Sequence, residues 1–326
     1  MKEEIEMKNK KLETPKIVIG TWAWGDTGEL GNGYFGSKLE KSDLQKVASK
    51  AIKAGFTMWD TAAVYGMGHS EQVLGEVLKK YDRSDYQLST KFTPQIAEDV
   101  ENPIETMLEG SLRRLNTDYI DLYWIHNPKD VEKWTPYLIP LLKEGKIKHV
   151  GVSNHNLQEI KRVNEILGEA GYKIDAIQNH YSLLYRSSEK AGLIEYCKEN
   201  NIDFYSYMVL EQGALTGKYD TSHPFPEGST RAEIYNPMMQ NLEPLNNSLK
   251  IIAEKHHASA ADIATAWAIQ KGTTPIIGIT KSKYIDDEIK VTNIKLSNEE
   301  MNMLENLGDL AQVNTRGEWE KDMNIN

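Results

Sequence analysis

Short runs of β-branched and aromatic residues alternate with amphipathic stretches along most of this chain. The run IVIGTWA, for example, is followed after a glycine-rich loop by KSDLQKVASKAIKAG, whose apolar spacing and terminal Gly55 are typical of a helix. Further pairs of this kind follow, among them YQLSTKF with NPIETMLEGSLRRLNT and IKHVGVSN with NLQEIKRVNEILGEAG. The pattern predicts eight strand–helix units in a single domain that spans residues 1–326.

Repeated strand–helix units imply a parallel sheet, and eight of them in roughly 300 residues favour a closed (β/α)8 TIM barrel. A doubly wound open sheet is the alternative, but no strand is followed by a Gly-x-Gly-x-x-Gly turn that opens a helix. The least regular segments are residues 25–38, 211–247 and the tail after 297. Long loops on a regular barrel commonly bind ligands, so we expect these segments to select the substrate.

Composition narrows the class of protein. Lys and Arg total 38 against 48 Asp and Glu, and the net charge of −10 argues against nucleic acid or an anionic membrane as a partner. The single cysteine, Cys197, allows no intrachain disulfide and suits a reducing compartment. The charged first residues do not resemble a secretory signal, and no apolar run is long enough to cross a bilayer. We expect a soluble cytoplasmic protein.

The ends of predicted strands two to four carry residues that are able to do chemistry. Catalytic groups of TIM barrels lie at the C-terminal ends of the strands. The segments DTAAVYG, YQLSTKF and IDLYWIH supply four such groups there: Asp60, Tyr65, Lys91 and His126. Period-two alternation places three further residues on the same inward faces: Met58, Ser89 and Trp124. We therefore expect the four reactive side chains to converge at one rim.

Each of these residues alone has a structural explanation, such as a helix cap, an ion pair or core packing, but four on adjacent strands favour chemistry. Tyrosine ionises near pH ~10, and a neighbouring ammonium lowers that pKa. Lys91 supplies the ammonium, and Asp60 supplies the carboxylate that a buried lysine needs. With His126 orienting a substrate oxygen, the arrangement predicts proton donation from Tyr65 to a carbonyl.

At this point the sequence resembles the aldo-keto reductase superfamily. The similarity runs from about Ile17 to the segment KSKYIDDE, and the motifs that carry it are GTWAWG, DTAAVYG, STKF, SLRRLNTDYIDLYWIH, KEGKIKHVGVSN and EQGALTGKY. The resemblance implies a metal-free TIM-barrel enzyme that reduces an aldehyde or ketone with NADPH or NADH. It also implies that Tyr65 is the general acid, modulated by Lys91 and Asp60, and that His126 orients the small-molecule carbonyl substrate.

The resemblance also implies a set of cofactor-binding residues: Gly20, Thr21, Trp22, Ser153, Asn154, Gln178, Tyr205, Ser206, Lys281, Lys283 and Glu288. Within this set, Ser153, Asn154 and Gln178 are expected at the nicotinamide amide. Tyr205 is expected to end strand seven and stack on the nicotinamide. Ser206 and the backbone beyond it are expected to reach the pyrophosphate.

Three departures from the family pattern affect the cofactor end. The segment Ser206-Tyr207-Met208 replaces Ser-Pro-Leu, Thr280 stands where an arginine often binds the 2′-phosphate, and Glu288 replaces the usual asparagine near the adenine. Lys281 and Lys283 remain close by, and cationic donors bind phosphate strongly. We therefore predict that NADP(H) is preferred to NAD(H).

Two other functions remain open at this level. One is a cofactor-binding regulatory subunit, as in the channel-associated branch of the superfamily; the intact Asp-Tyr-Lys-His set favours an enzyme. The other is a metal-dependent hydrolase on the same barrel, which the lack of a His-x-His at the end of strand one disfavours. The sequence does not identify the carbonyl substrate or the oligomeric state.

Overall fold

The computed structural model describes residues 12–25 and 39–323. Most of the predicted substrate loop 25–38 lies outside the described residues. Eight parallel strands close into a barrel in chain order. They are β1 Val18–Gly20, β2 Met58–Asp60, β3 Gln87–Phe92, β4 Ile120–Ile125, β5 Ile147–Ser153, β6 Ala176–His180, β7 Asp203–Tyr207 and β8 Thr274–Gly278. The predicted (β/α)8 barrel is confirmed, and an open sheet is excluded because β1 pairs with both β2 and β8.

Helices connect the strands on the outside of the barrel. Within the described residues they are α1 Lys41–Lys53, α2 His69–Leu78, α3 Pro103–Leu115, α4 Val131–Trp134, α5 Leu138–Lys143, α6 Leu157–Gly168, α7 Ser187–Lys190, α8 Leu193–Asn200, α9 Thr230–Tyr235, α10 Met239–Lys255, α11 Ala260–Gln270, α12 Tyr284–Val291 and α13 Asn298–Leu310. The helix α1 ends as its sequence predicts, because Gly55 follows it at a φ of 83°. None of the described helices is long and apolar enough to span a membrane.

Two amphipathic stretches of the chain are each divided between two helices. The stretch 132–146 forms α4 and α5 with a 3-10 turn, Thr135–Tyr137, between them. Pro136 accounts for this break because its nitrogen has no proton to donate to a continuing helix. The stretch 247–272 belongs to α10 and α11, and Ser259 starts the second helix with a reciprocal cap to Asp262.

The regions predicted to be irregular also contain helices. Residues 211–247 include α9 and the first half of α10, and the tail after 297 begins with α13. The helix α13 starts at a capping box between Ser297 and Glu300 and buries Met301 and Leu304. Among the described residues, the irregular part of the tail is therefore 311–323.

The barrel interior holds a small apolar cluster below the C-terminal rim. Its members come from alternate positions of the strands: Val18, Met58, Leu122, Trp124, Ala176 and Tyr205. The N-terminal segment closes the opposite end, where Leu12 joins this cluster and Thr14 lies 3.2 Å from the Tyr205 hydroxyl. Because the interior is packed, a ligand of the barrel is expected at the C-terminal rim, which is the usual arrangement of TIM barrels.

Candidate active site

The four predicted catalytic side chains lie together at the C-terminal rim of the barrel. Asp60 is the last residue of β2, and Tyr65 opens the 3-10 turn that follows, Tyr65–Gly68. Lys91 lies near the end of β3. His126 directly follows β4, where its backbone N–H donates to the Phe92 carbonyl at 2.8 Å. The alternation of the strands thus brings together the groups that the sequence places at the strand ends.

Asp60 and Lys91 form a buried ion pair. The Lys91 Nζ lies 2.6 Å from Asp60 Oδ2, and the two residues are 0% and 3% exposed. The second carboxylate oxygen accepts from Ser89 Oγ at 2.6 Å and from Gln178 Nε2 at 3.2 Å. Both oxygens are therefore hydrogen-bonded, as a buried carboxylate requires.

The Lys91 ammonium is held in its charged form. Burial lowers the pKa of this lysine, but the Asp60 carboxylate and Tyr65 raise it by more, so that the net shift is upward. The ammonium also donates to the Thr61 carbonyl at 2.7 Å and to the Tyr65 hydroxyl at 3.4 Å. Its three protons are thus directed at three acceptors in fixed positions.

Tyr65 lies between Lys91 and an aromatic neighbour. The Lys91 Nζ lies 4.9 Å from the centroid of the Tyr65 ring, and Trp22 stacks on this ring at a centroid distance of 5.8 Å. The long contact between ammonium and hydroxyl is typical of a catalytic hydrogen bond in the absence of substrate. These contacts fix the phenol at the mouth of the barrel.

The expected lowering of the Tyr65 pKa is not the net result. Burial raises this pKa above its ordinary value of 10.0, and although Lys91 lowers it, burial and Asp60 together outweigh that effect. Tyr65 is therefore a neutral phenol at neutral pH. Lys91 moderates the cost of losing the proton, but it does not populate the phenolate in the protein alone.

His126 is a neutral imidazole that faces the phenol. Its ring lies edge-on to Tyr65 at a centroid distance of 6.0 Å, and its Nδ1 is 2.9 Å from Thr93 Oγ1. Burial and the nearby Lys91 charge hold the pKa of His126 well below its usual value. If the Thr93 hydroxyl donates to Nδ1, the proton resides on Nε2, and the ring becomes a hydrogen-bond donor toward the mouth.

Ser153, Asn154 and Gln178 lie at the ends of β5 and β6, beside the four side chains described above. Asn154 has a φ of 63°, and its amide donates to the His126 carbonyl at 3.0 Å and to Ser153 Oγ at 3.2 Å. The Ser153 hydroxyl is the acceptor in that bond, so its own proton is not used there. Gln178 is tied to Asp60 through Nε2. Asp60, Tyr65, Lys91 and His126 are called the tetrad from here on. The three polar side chains predicted at the nicotinamide amide are therefore adjacent to the tetrad.

The cofactor-binding residues predicted at the end of β1 are Gly20, Thr21 and Trp22, and they have different surroundings. Gly20 pairs with Asp60 on one side and with Gly278 on the other. A Cβ added at Gly278 would meet no atom of the described residues within 4 Å. The Thr21 hydroxyl, by contrast, is buried and donates to the Asp60 carbonyl at 3.0 Å. Thr21 thus supports the end of β2, while Trp22 covers Tyr65.

The prediction that Tyr205 ends β7 is wrong. The strand continues to Tyr207, and Tyr205 lies inside the barrel, fully buried and edge-on to Trp124. Its hydroxyl points to Thr14 at the closed end. The aromatic residue at the rim is Tyr207, whose hydroxyl donates to Asn154 Oδ1 at 2.5 Å.

The Ser206 side chain is also directed away from the mouth. Its hydroxyl lies 2.9 Å from Thr273 Oγ1, which itself donates to the Ala268 carbonyl at 2.8 Å, so Ser206 is the donor in its bond to Thr273. Ser206 lies on β7 and is fully buried, with its hydroxyl facing the residues that follow α11. The Ser206 side chain therefore does not supply the expected pyrophosphate contact, because alternation turns position 206 outward. The contact from the backbone beyond it stays a prediction.

The residues predicted at the adenine end lie at the turn between β8 and α12. Lys281 and Lys283 are exposed, as a site for a phosphate would require. Glu288 on α12 is buried, with one carboxylate oxygen that has no hydrogen-bond partner among the described residues. Burial and the neighbouring Asp262 and Asp287 raise its pKa to about 8. Glu288 is thus largely protonated at neutral pH.

Sequence reasoning missed a second polar cluster next to the tetrad. His180 at the end of β6 lies between two buried carboxylates, those of Glu211 and Glu320. Trp319, beside Glu320, reaches Trp22. No local motif marks these residues, since His180 and Glu320 are 140 positions apart. The period-two pattern of β6 was the available signal, because it places His180 on the same face as Gln178.

The fold and the rim define a (β/α)8-barrel protein with a buried Asp–Lys pair, a phenol and a neutral imidazole at the C-terminal ends of its strands. The model of the aldo/keto reductase family matches residues 16–309. The chain belongs to this family and is an oxidoreductase of the aldo/keto reductase type.

Individual relatives agree with this assignment. The chain is 30% identical to the chloroplastic pyridoxal reductase of Arabidopsis thaliana over 92% of this chain and 85% of that protein. It is 30% identical to the aldo-keto reductase yakc [NADP(+)] of Schizosaccharomyces pombe over 86% of each chain. An aldo-keto reductase from Klebsiella pneumoniae, solved in complex with NADPH, is 25% identical with a TM-score of 0.70, covering 90% of this chain and 91% of that one.

Proposed function

We propose that this protein reduces an aldehyde or ketone to an alcohol with NADPH, and that Tyr65 is the general acid. The observation that carries the proposal is the position of the Lys91 ammonium, which lies 2.6 Å from Asp60 Oδ2 and 3.4 Å from the Tyr65 hydroxyl. A structural ion pair would need only the first of these contacts. The second directs positive charge at the oxygen that becomes negative when the phenol gives up its proton.

Each residue of the tetrad has a separate task. Tyr65 donates its proton to the carbonyl oxygen, and Lys91 stabilises the phenolate that remains. Asp60 keeps Lys91 charged in its buried position. His126, neutral and edge-on to Tyr65, donates from Nε2 to the same carbonyl oxygen and fixes its direction. Bound NADPH would supply the hydride to the carbonyl carbon.

The residues beside the tetrad suit the nicotinamide amide chemically. That group offers a carbonyl acceptor and an NH2 donor, and the side chains of Ser153, Asn154 and Gln178 supply matching donors and acceptors at the ends of β5 and β6. Tyr207 at the end of β7 offers the aromatic face that Tyr205 does not. The NADPH and NADP(+) in the descriptions of two relatives agree with this choice of cofactor.

The test compares Tyr65→Phe with Tyr196→Phe. The second variant removes a phenol from α8, away from the mouth, and controls for the substitution itself. Consumption of NADPH with a panel of aldehydes and ketones gives kcat and KM, and quenching of protein fluorescence gives cofactor affinity. We expect Tyr65→Phe to lose ~10²–10⁴-fold in kcat while its cofactor affinity stays within about twofold. A kcat above about a tenth of wild type would contradict the assignment.

A further inference from the structure

The irregular C-terminal segment, residues 311–323, lies across the rim and is fixed at several points. Thr315 donates to Glu211 at 3.0 Å, Asp322 accepts from Ser187 Oγ at 3.0 Å, and Lys321 pairs with Glu159 on α6. The Met323 N–H also donates to Ser187 at 3.0 Å. Four residues of this segment are thus fixed to the barrel, although the segment itself forms no helix or strand.

The most buried anchor is a histidine between two carboxylates. Nε2 of His180 lies 2.9 Å from Glu211 Oε1, and its Nδ1 lies 3.0 Å from Glu320 Oε2. Burial lowers the pKa of His180, but the two carboxylates outweigh it and raise the pKa to about 10. The imidazole is therefore doubly protonated at neutral pH and donates one proton to each glutamate. We call Glu211, His180 and Glu320 the His180 cluster.

Glu211 is built into this cluster at a conformational cost. Its carboxylate also accepts from the hydroxyls of Ser182 and Tyr235, so four donors converge on one fully buried side chain. Its backbone has a φ of 46°, and Met208 and Gln212 in the same loop have φ values of 60° and 53°. Residues other than glycine rarely adopt a positive φ. Those that do are held there by their surroundings, most often at functional sites.

The segment held by this cluster carries an aromatic residue to the opposite side of the mouth. Trp319, next to Glu320, is 41% exposed and lies edge-on to Trp22 at a centroid distance of 6.0 Å. Trp22 in turn stacks on Tyr65. The C-terminal segment therefore spans the rim from β6 and β7 to β1, and its indole borders the space over the phenol.

We propose that His180 is a positioning residue: through Glu320 it holds Trp319 over the mouth, where the indole limits the size of the carbonyl substrate. This inference rests on the proposed function for its substrate class. No member of the cluster needs to touch the substrate, because the ion pair fixes the segment that carries the indole. Loss of one carboxylate leaves the His180 cation with a single partner in a buried site, which favours release of the segment.

The first test measures the position of the segment without turnover. Trypsin cleaves after the exposed Arg316, and cleavage of a native protein follows the population of the open form. We expect Glu320→Gln to release the terminal peptide about tenfold faster than wild type. The matched control is Glu318→Gln, the same substitution at an exposed position two residues earlier, and it should match wild type. Equal rates for the two variants would overturn the role of His180.

The second test measures substrate size selection with propanal and 2-naphthaldehyde. Glu320→Gln and Trp319→Ala should both lower the KM for the large aldehyde relative to the small one by about tenfold, with kcat changing less than KM. Trp319→Phe should restore most of the selectivity. KM values that shift together for both aldehydes would overturn the size-limiting role. A wild-type protein that is inactive on every carbonyl would overturn the proposed function and the size selection together, and the trypsin rates would then decide the His180 cluster alone.

Discussion

Lys91→Met tests whether the buried ion pair acts through Tyr65. The substitution replaces the ammonium by an apolar group of similar length and leaves the Asp60 carboxylate in place. Breaking a buried pair costs roughly 3–5 kcal/mol. Because Asp60 keeps its bonds from Ser89 and Gln178, we expect about 3 kcal/mol. Divided by an unfolding entropy of about 0.7 kcal/mol/K for a chain of this size, this is a loss of about 4 °C in Tm.

Lys91→Met should also lose activity in the protein that remains folded. Lys91 lowers the pKa of Tyr65, so its removal makes the phenol a weaker acid, and we expect kcat/KM to fall by about 10²-fold or more. Asp60→Asn has two opposing effects. It removes a charge that raises the pKa of Tyr65, and it also removes the carboxylate that raises the pKa of Lys91. We therefore expect a smaller loss, about tenfold, for Asp60→Asn.

The double variant decides between the models. If Asp60 acts through Lys91, the kcat/KM of Lys91→Met/Asp60→Asn should be no lower than that of Lys91→Met, because the only direct effect of the Asp60 charge is to raise the pKa of Tyr65. The Tm of the double variant should recover part of the loss because no unpaired carboxylate remains. The assays are NADPH consumption for kcat/KM and thermal unfolding for Tm, each on all four proteins. Losses in kcat/KM that multiply in the double variant would refute the coupling and with it the role assigned to the pair.

Three further predictions follow from the charges of the site. Lys281→Ala and Lys283→Ala should weaken NADPH binding more than NADH binding in fluorescence titrations; wild-type protein that binds NADH as tightly as NADPH would contradict the preference. The kcat/KM should stay level through neutral pH and fall only above pH 10, because His126 is already neutral and Tyr65 must keep its proton; a rise or fall near pH 6.5 would show that His126 titrates there. The free energy of unfolding in urea should decline as pH rises from 6.5 toward 10, since His180 binds its extra proton more tightly in the folded protein; Glu320→Gln should flatten this decline.

The tetrad could be predicted because its signals are local. Period-two alternation within short strands places Asp60 and Lys91 inward, and the barrel topology brings neighbouring strand ends together. The sequence does not show how far from the rim a residue lies along its strand. Tyr205 and Tyr207 both face inward, and only the register of β7 against β6 shows which one reaches the rim. The apolar run DFYSYMV does not contain that information.

Other features depend on the assembled environment. The pKa of Tyr65 is set by the balance between burial and the Lys91 charge, and burial is a property of the packed rim. The His180 cluster joins β6, the loop after β7 and the C-terminal segment, which are far apart in the chain. A lone histidine in AIQNHYSLL is equally consistent with a core residue, so the sequence alone gives no reason to connect it with Glu320.

The hydrogen bond from Gln178 to Asp60 has a consequence for how the protein is made. Asp60 and Lys91 are 31 residues apart, whereas Gln178 is 118 residues from Asp60. During synthesis Asp60 and Lys91 leave the ribosome well before β6 is made. The hydrogen bonds of the Asp60 carboxylate therefore cannot be complete until more than half of the chain has been made. Long-range contacts of this kind form late, because the loop must close before the contact is gained. The rim that carries Asp60 and Lys91 is therefore expected to be among the last parts of the barrel to reach its final geometry in a newly made chain.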